Sequence, residues 1–554
     1  MSRRGRRASA PATRPVPGAT GRARGSGSSA DGGAGATARA ALEARFRRIA
    51  LVRESIGVLQ WDMAAVMPSG GAAVRGEQMA TLREIAHELL VAEEVGDWLA
   101  RARAEAACDG SDAWQLANLR EMERERRHAM ALPGDLVVRH SRAVSSCEMD
   151  WRARRDGDDF PGVLPALREV LGLTREIAEA KAEALGVSPY DALLDEYEPG
   201  GSSAEIDRLF AELTTFLPGL TSAVIDKQRA EGEVPVLPGP FPAHAQHRLA
   251  ERVMGDLGFD FSHGRLDTSH HPFCGGVPED VRITTRWNES DFLRGLMAVV
   301  HETGHALYER GLPAAFRHRP VGLARGMSVH EGQSLLVEMQ VCRSAEFLAW
   351  LAPLARQAFA APPARKSGGV VQRVERDDFV DAWSADALRR RATRVARTLI
   401  RVEADEVTYP AHVILRYRLE RAMIGGTLDP ADLPGAWRDG MRELLGVEPP
   451  DDRTGCLQDI HWYAGSFGYF PTYTLGAMTA AQLFEAARRA EPCIPGEIAR
   501  GEARTLMGWL RENVHSLGSM LPTSELIERA TGRPLDPAVF RRHLETRYLS
   551  SEAD

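Results

Sequence analysis

The sequence predicts a mainly α-helical protein with one small β-hairpin. Three observations carry that fold class. From Ala41 onward, apolar residues recur every three to four positions through most of the chain. One stretch alone, within residues 264–287, has short runs of β-favouring residues. Hydrophobic residues make up 44% and charged residues 26%, as in a globular chain, and no apolar run approaches the ~18 residues of a membrane span. At 554 residues the chain can bury a large core.

Taken in order, residues 1–40 are rich in Arg, Ala, Gly, Ser and Pro with almost no large apolar residue, which predicts a disordered tail. Their eight arginines face one acid, Asp31, a local +7, so the rest carries −15 of the overall −8. An acidic body argues against a nucleic-acid partner. The abundance of arginine is no counter-argument, because the only lysines are Lys181, Lys227 and Lys366, a bias affecting the whole chain. The tail's composition also fits a transit peptide. No apolar segment follows it, so secretion is not expected, and the tail reads as one without an address or as a start codon set too far upstream.

Residues 41–554 are then expected to form the catalytic domain. Amphipathic helices are predicted over ALEARFRRIALVRESIGVLQWD, RGEQMATLREIAHELLVAEEVGDWLARARAE, VLPALREVLGLTREIAEAKAEALG and SSAEIDRLFAELTTFLPGLTSAVIDKQRA. Residues 232–245 and 359–369 are Pro-rich loops. Between them, GRLDTSHHPF and DVRITTRW are predicted to pair as a hairpin across Cys274-Gly275-Gly276-Val277-Pro278. Such a hairpin offers an edge along which an extended peptide can lie. Six scattered cysteines without a CxxC pair predict free thiols and a reducing, cytoplasmic compartment.

Next comes SDFLRGLMAVVHETGHALYERG, predicted to be one helix capped by Ser290 or Asp291 and ended by Gly311. It contains His301-Glu302-Thr303-Gly304-His305. Histidines four apart share a helix face, and the glutamate beside them can act on a zinc-bound water. A catalytic zinc needs three protein ligands. The following helix, HEGQSLLVEMQV, offers His330, Glu331 and Glu338; either glutamate could ligate while the other supports. A third histidine six residues past His305 is ruled out, because that position is Gly311.

Six ordered motifs resemble the M32 metallocarboxypeptidases, the carboxypeptidase Taq family. They are HPF at His271-Pro272-Phe273, DxRxT at Asp280-Arg282-Thr284, HExxH at 301–305, a HES-type motif at 330–332, IRxxAD at Ile400-Arg401-Ala404-Asp405, and GxxQDxHW at Gly455-Gln458-Asp459-His461-Trp462. LQWDMAAVMPSGG and WLRENVHSLG…ERATGRPL extend the resemblance over roughly residues 41–550. It implies Glu331 as the third ligand beside His301 and His305. It further implies a large helical fold with a long central groove, similar to neurolysin and angiotensin-converting enzyme, and a homodimer. Where the family motif has serine this chain has Gly332, so a hydrogen bond near the metal is expected to be missing.

The expected activity is zinc-dependent removal of C-terminal residues from peptides with a free C-terminus, with no membrane involved. Cobalt could substitute for zinc, since a His₂Glu set binds several divalent ions. Glu302 is expected to be the general base. Tyr469 and His461, with Tyr473 behind them, are expected oxyanion donors. Arg282 and Arg401 are candidates for the substrate carboxylate, each against the alternative of an ion pair with Asp280 or Asp405. Asp459 is expected to orient His461 or a ligating histidine. His271, Cys274 and Cys456 are read as structural. The alternatives are a neurolysin-like oligo- or endopeptidase and a non-catalytic peptide-binding scaffold. An aminopeptidase is disfavoured, because the nearest GxMxN-like string, Gly476-Ala477-Met478-Thr479-Ala480, follows the HETGH helix and lacks the glutamate.

Overall fold

The computed structural model describes residues 37–359 and 382–550. Most of the expected tail, and nearly all of the loop at 359–369, lie outside the described residues. The described chain opens with α1 (Ala38–Ala65), capped by Thr37, whose hydroxyl accepts from the Ala40 amide. It continues through α2 (Ala72–Val91), α3 (Glu93–Asp109), α4 (Ala113–Met130), α5 (Gly134–Arg154), α6 (Phe160–Leu185), α7 (Pro189–Leu194), α8 (Ser203–Ala230) and α9 (Ala243–Asp256). The segment read as one helix over 75–105 is two, because Ala92 adopts φ −49°, ψ 140° and interrupts the hydrogen-bond ladder.

Three strands follow: β1 (Gly264–Thr268), β2 (Phe273–Val277) and β3 (Asp280–Thr285). The sheet order is β1-β3-β2, with β1 parallel to β3 and β2 antiparallel to it. This corrects the expected hairpin. The Cys-Gly-Gly stretch, read as the turn, is itself the strand that pairs with β3, and the turn is Pro278-Glu279. Two adjacent glycines read as a turn because glycine adopts the positive φ of tight turns without steric cost. Here Gly276 has φ +89°, and a Cβ on it would fall 2.1 Å from the Asp280 carbonyl, so the close pairing itself demands glycine.

The second half is helical again: α10 (Phe292–Gly311), α11 (Met327–Leu335), a π-helical turn over Leu336–Cys342, α12 (Ala345–Phe359), α13 (Ala385–Ala392), α14 (Tyr409–Ile424) and α15 (Leu433–Leu445). After a loop come α16 (Pro471–Ala490), α17 (Ile494–Ile498), α18 (Arg504–Asn513), α19 (Thr523–Thr531) and α20 (Pro537–Leu549). The molecule is therefore mainly α with a small sheet beside α10.

Apolar side chains gather into two large cores. One is built from α5, α6, α8, α14 and α15. The other is built from α9, the sheet, α10, α11, α12 and the helices near the C-terminus. α16 belongs to both: Leu475, Met478 and Ala481 enter the first, and Ala480, Leu483 and Phe484 enter the second. A smaller cluster joins α1 to α3 and α4. Among the described residues no helix is long and apolar enough to cross a membrane.

Candidate metal centre

α10 begins at Asp291, whose carboxylate accepts from the amides of Leu293 and Arg294. Its last residue is Gly311, the residue expected to end it. Gly311 is glycine because a Cβ there would meet the ring of buried His515 at 2.3 Å. One turn apart on this helix, the rings of His301 and His305 meet edge to face, with centroids 5.1 Å apart.

The helices around them approach unusually closely. A Cβ on Gly304 would lie 2.6 Å from both the Gln333 carbonyl and the Ser334 Cα, so α10 and α11 touch backbone to backbone there. On the other side, a Cβ on Gly476 of α16 would lie 2.8 Å from the Cβ of Glu331. These two contacts press the Glu331 carboxylate against the histidines. Its Oε2 stands 3.7 Å from His301 Nε2 and 3.5 Å from His305 Nε2. Ligands on a tetrahedral ion with bonds of ~2.0–2.1 Å are about 3.3–3.4 Å apart, so two imidazoles and a carboxylate are spaced to hold a cation such as zinc. All three offer donor atoms within 4.8 Å of one another.

Each ligand is held from behind. His301 Nδ1 lies 2.9 Å from Glu338 Oε2, and Arg343 donates to the other Glu338 oxygen at 2.8 Å. His305 Nδ1 lies 2.6 Å from His330 Nδ1, and His330 Nε2 lies 2.9 Å from Glu309. With both glutamates ionised, one tautomer set frees both Nε2 atoms for a cation: His301 donates from Nδ1 to Glu338, His330 from Nε2 to Glu309 and His305 from Nδ1 to His330; without the cation, the Nε2 atoms can instead carry protons toward Glu331. Near the hydrogen bond expected to be missing at Gly332, the Ser334 hydroxyl donates to the Glu331 carbonyl at 2.7 Å and lies 3.2 Å from Glu331 Oε2. A side chain at 332 would collide with Thr479 of α16, whose Cγ2 is 2.9 Å from the position of a Cβ.

Burial dominates the electrostatics. It pushes the Glu302 carboxyl up to about 7, against the pull of His301. Burial works against charge on His301 too, but Glu331 and the bond to Glu338 raise it to about 10. Burial takes His305 down to about 4, despite its bond to Glu331. Glu331 resists burial because His301 and His305 hold it down to about 2.

The loop before α16 and its first turn bring Tyr469, Tyr473 and His461 into one aromatic group. His461 Nε2 is 3.3 Å from the Tyr473 hydroxyl, and the Tyr469 and Tyr473 rings are 5.1 Å apart. Burial, and after it the charge of Glu331, pushes the Tyr469 phenol up. His461 is taken down to about 4 by burial and by Arg401, and its Nδ1 has no partner.

The two candidate arginines differ. Arg282 spends its fork on Asp280, at 2.7 and 2.6 Å, and stacks 4.3 Å over Trp61 of α1. Arg401 is buried and reaches Asp459 through Nε at 3.0 Å and Nη2 at 2.8 Å, and the Tyr409 hydroxyl through Nη1 at 2.7 Å. Asp459 therefore orients arginines, not the expected histidine, because its second oxygen is taken by Arg416 at 2.6 Å. Asp405, the alternative ion-pair partner weighed for Arg401, instead accepts from the amides of Ala396, Val407 and Thr408. His271 is exposed, and its carbonyl accepts from Ser269 and Thr284. All six cysteines are unpaired; Cys456 is buried and Cys274 half-buried. Sequence reasoning missed Tyr409, Ser334 and Arg416. Tyr409 alone had a signal, lying four residues past the IRxxAD motif.

The profile of a family described as carboxypeptidase Taq (M32) metallopeptidase matches residues 41–548. Thermostable carboxypeptidase 1 of Thermus thermophilus is 38% identical over 514 residues, covering 91% of this chain and 97% of the relative. Carboxypeptidase 1 of Bacillus subtilis is 32% identical over 510 residues, covering 91% and 96%. Among solved structures, metallocarboxypeptidase 1 of Trypanosoma cruzi superposes with a TM-score of 0.87 at 39% identity, covering 93% of this chain and 99% of that one. The M32 carboxypeptidase of Deinococcus radiodurans R1 superposes at 0.84 and 33% identity, covering 92% and 99%.

Proposed function

Given that this chain belongs to the carboxypeptidase Taq (M32) metallopeptidase family and is a peptide hydrolase of that type, we propose that it removes C-terminal residues by water attack at a zinc site formed by His301, His305 and Glu331. The observation that carries this reading is the spacing of those three donors beside the Glu302 carboxylate. When bound, the ion supplies Lewis acidity toward the scissile carbonyl and makes water acidic enough to be deprotonated near neutral pH. Cobalt could supply the same chemistry.

The protein's own groups do the rest. Glu302, whose buried carboxyl is raised to about 7, accepts the proton of the attacking water and passes it to the departing amine. Tyr469 is the first donor to the oxygen of the tetrahedral intermediate, with His461 and Tyr473 beside it. Of the two arginines, Arg401 reads the substrate carboxylate. It lies 5.1 Å over the ring of Tyr473, beside the oxyanion donors, and with three of its five N–H donors engaged it keeps one on each terminal nitrogen, whereas Arg282 is paired with Asp280 and stacked on Trp61 of α1.

Glu302→Gln is expected to retain one metal ion per chain by elemental analysis while losing roughly 10²- to 10⁴-fold in hydrolysis of a free-acid peptide, in line with removal of a general base. Activity within threefold of the parent would refute the mechanism. Equal cleavage of amidated and free-acid peptides would favour the oligopeptidase reading instead. The unpaired cysteines support a cytoplasmic setting, and the homodimer, which rests on the resemblance, is tested by light scattering after gel filtration.

A further inference from the structure

Behind Arg401 lies a second guanidinium. Arg416, on α14, is 0% exposed. Its Nε donates to Asp459 Oδ2 at 2.6 Å, its Nη2 to Gln458 Oε1 at 2.7 Å, and its Nη1 to the carbonyl of His412 at 2.8 Å. It also stacks over Trp437 at 4.5 Å. The same Gln458 oxygen accepts the Arg401 amide at 2.8 Å. One carboxylate is thus shared by two arginines: Oδ1 binds Arg401 and Oδ2 binds Arg416.

Two consequences follow from this sharing. First, Asp459 cannot turn both oxygens toward Arg401. It takes only the side of that guanidinium formed by Nε and Nη2 and leaves the end face, between Nη1 and Nη2, with an N–H to offer on each nitrogen. Second, two positive charges against one negative charge leave a surplus of one in a desolvated place. His412 does not add to it: its ring is fully buried, and burial keeps it neutral. Such a surplus is costly unless an anion completes it. A planar carboxylate set against the donors left free on Arg401 would meet both demands.

We propose that Arg416 is a positioning residue for substrate recognition: by holding Asp459 and Gln458 it fixes the end face of Arg401 and supplies the unpaired positive charge that a peptide's terminal carboxylate neutralises. This rests on the reading of Arg401 given above.

The test uses the full-length, metal-loaded protein and an N-blocked dipeptide with a free C-terminus. It adds competitive inhibition by the product amino acid and by its amide. Arg416→Met is expected to raise KM roughly tenfold or more with kcat within about threefold, and to erase the preference for acid over amide. Arg416→Lys keeps the charge but not the fork, and is expected to raise KM by roughly three- to tenfold. It also serves if the Met variant does not fold. Either folded variant with the parent's KM and acid preference overturns the proposal. Arg401→Met separates the two readings. If it too keeps the acid preference, the assignment of Arg401 is wrong. If it loses that preference while the Arg416 variants keep it, only the positioning role falls.

Discussion

At Gly304 two helix backbones touch, and the distance between His305 and Glu331 is set by that touch. A methyl group there meets backbone atoms at 2.6 Å, which cannot swing aside. Gly304→Ala is expected to push α11 away, destabilise the fold by about 1–3 kcal/mol and lower metal content at a fixed zinc concentration. Melting curves and elemental analysis would check it; parent-like values for both would show that the helices can part without opening the site. The i,i+4 histidines and Glu302 were legible in the sequence because a helix turns the spacing of neighbours directly into geometry. The third ligand was only narrowed to two glutamates until the family motifs were counted. Arg416 was not legible at all. Its partners Asp459 and Gln458 are 43 and 42 positions away, and nothing in the spacing of α14 marks it.

The π-helical turn after α11 matters at the scale of the element. Seven residues separate Glu331 from Glu338, which in a plain α-helix would stack them on one face. The wider turn over Leu336–Cys342 lets Glu331 face both Nε2 atoms while Glu338 reaches the far nitrogen of His301. Glu338→Gln keeps the shape but removes the charge that orients that imidazole, and is expected to weaken zinc binding by about 10- to 100-fold. Competition with a chelator measures this, and unchanged affinity would reduce Glu338 to a packing role. The sheet taught the opposite lesson. β1 and β3 were readable as strands, but β2 and the pairing were not, because β1 and β3 run parallel and are joined through a strand made largely of small residues.

For the whole molecule, acid stability is argued at the joint between the N-terminal helices and the main body. Asp195, after α7, accepts from His128 and Arg124 of α4 and from the amide of Gly200. Burial opposes its charge, but the bond from His128 and then that from Gly200 hold the carboxyl down to about 2. An acid lowered in the folded state contributes fully above its unfolded value near ~4, and that contribution fades as pH falls toward 2; it is of order 2 kcal/mol. About half of that is lost between pH 5 and pH 3, so Asp195→Asn should narrow the gap in urea stability between those two values by about 1 kcal/mol. An unchanged gap would place the acid sensitivity elsewhere. Finally, α16 has a bearing on how this chain can be taken apart. It is the shared wall of both cores and the backing of Glu331. A cut that frees one core would strip the other of a face and the centre of a side, so the two cores cannot be inherited, expressed or swapped as separate modules.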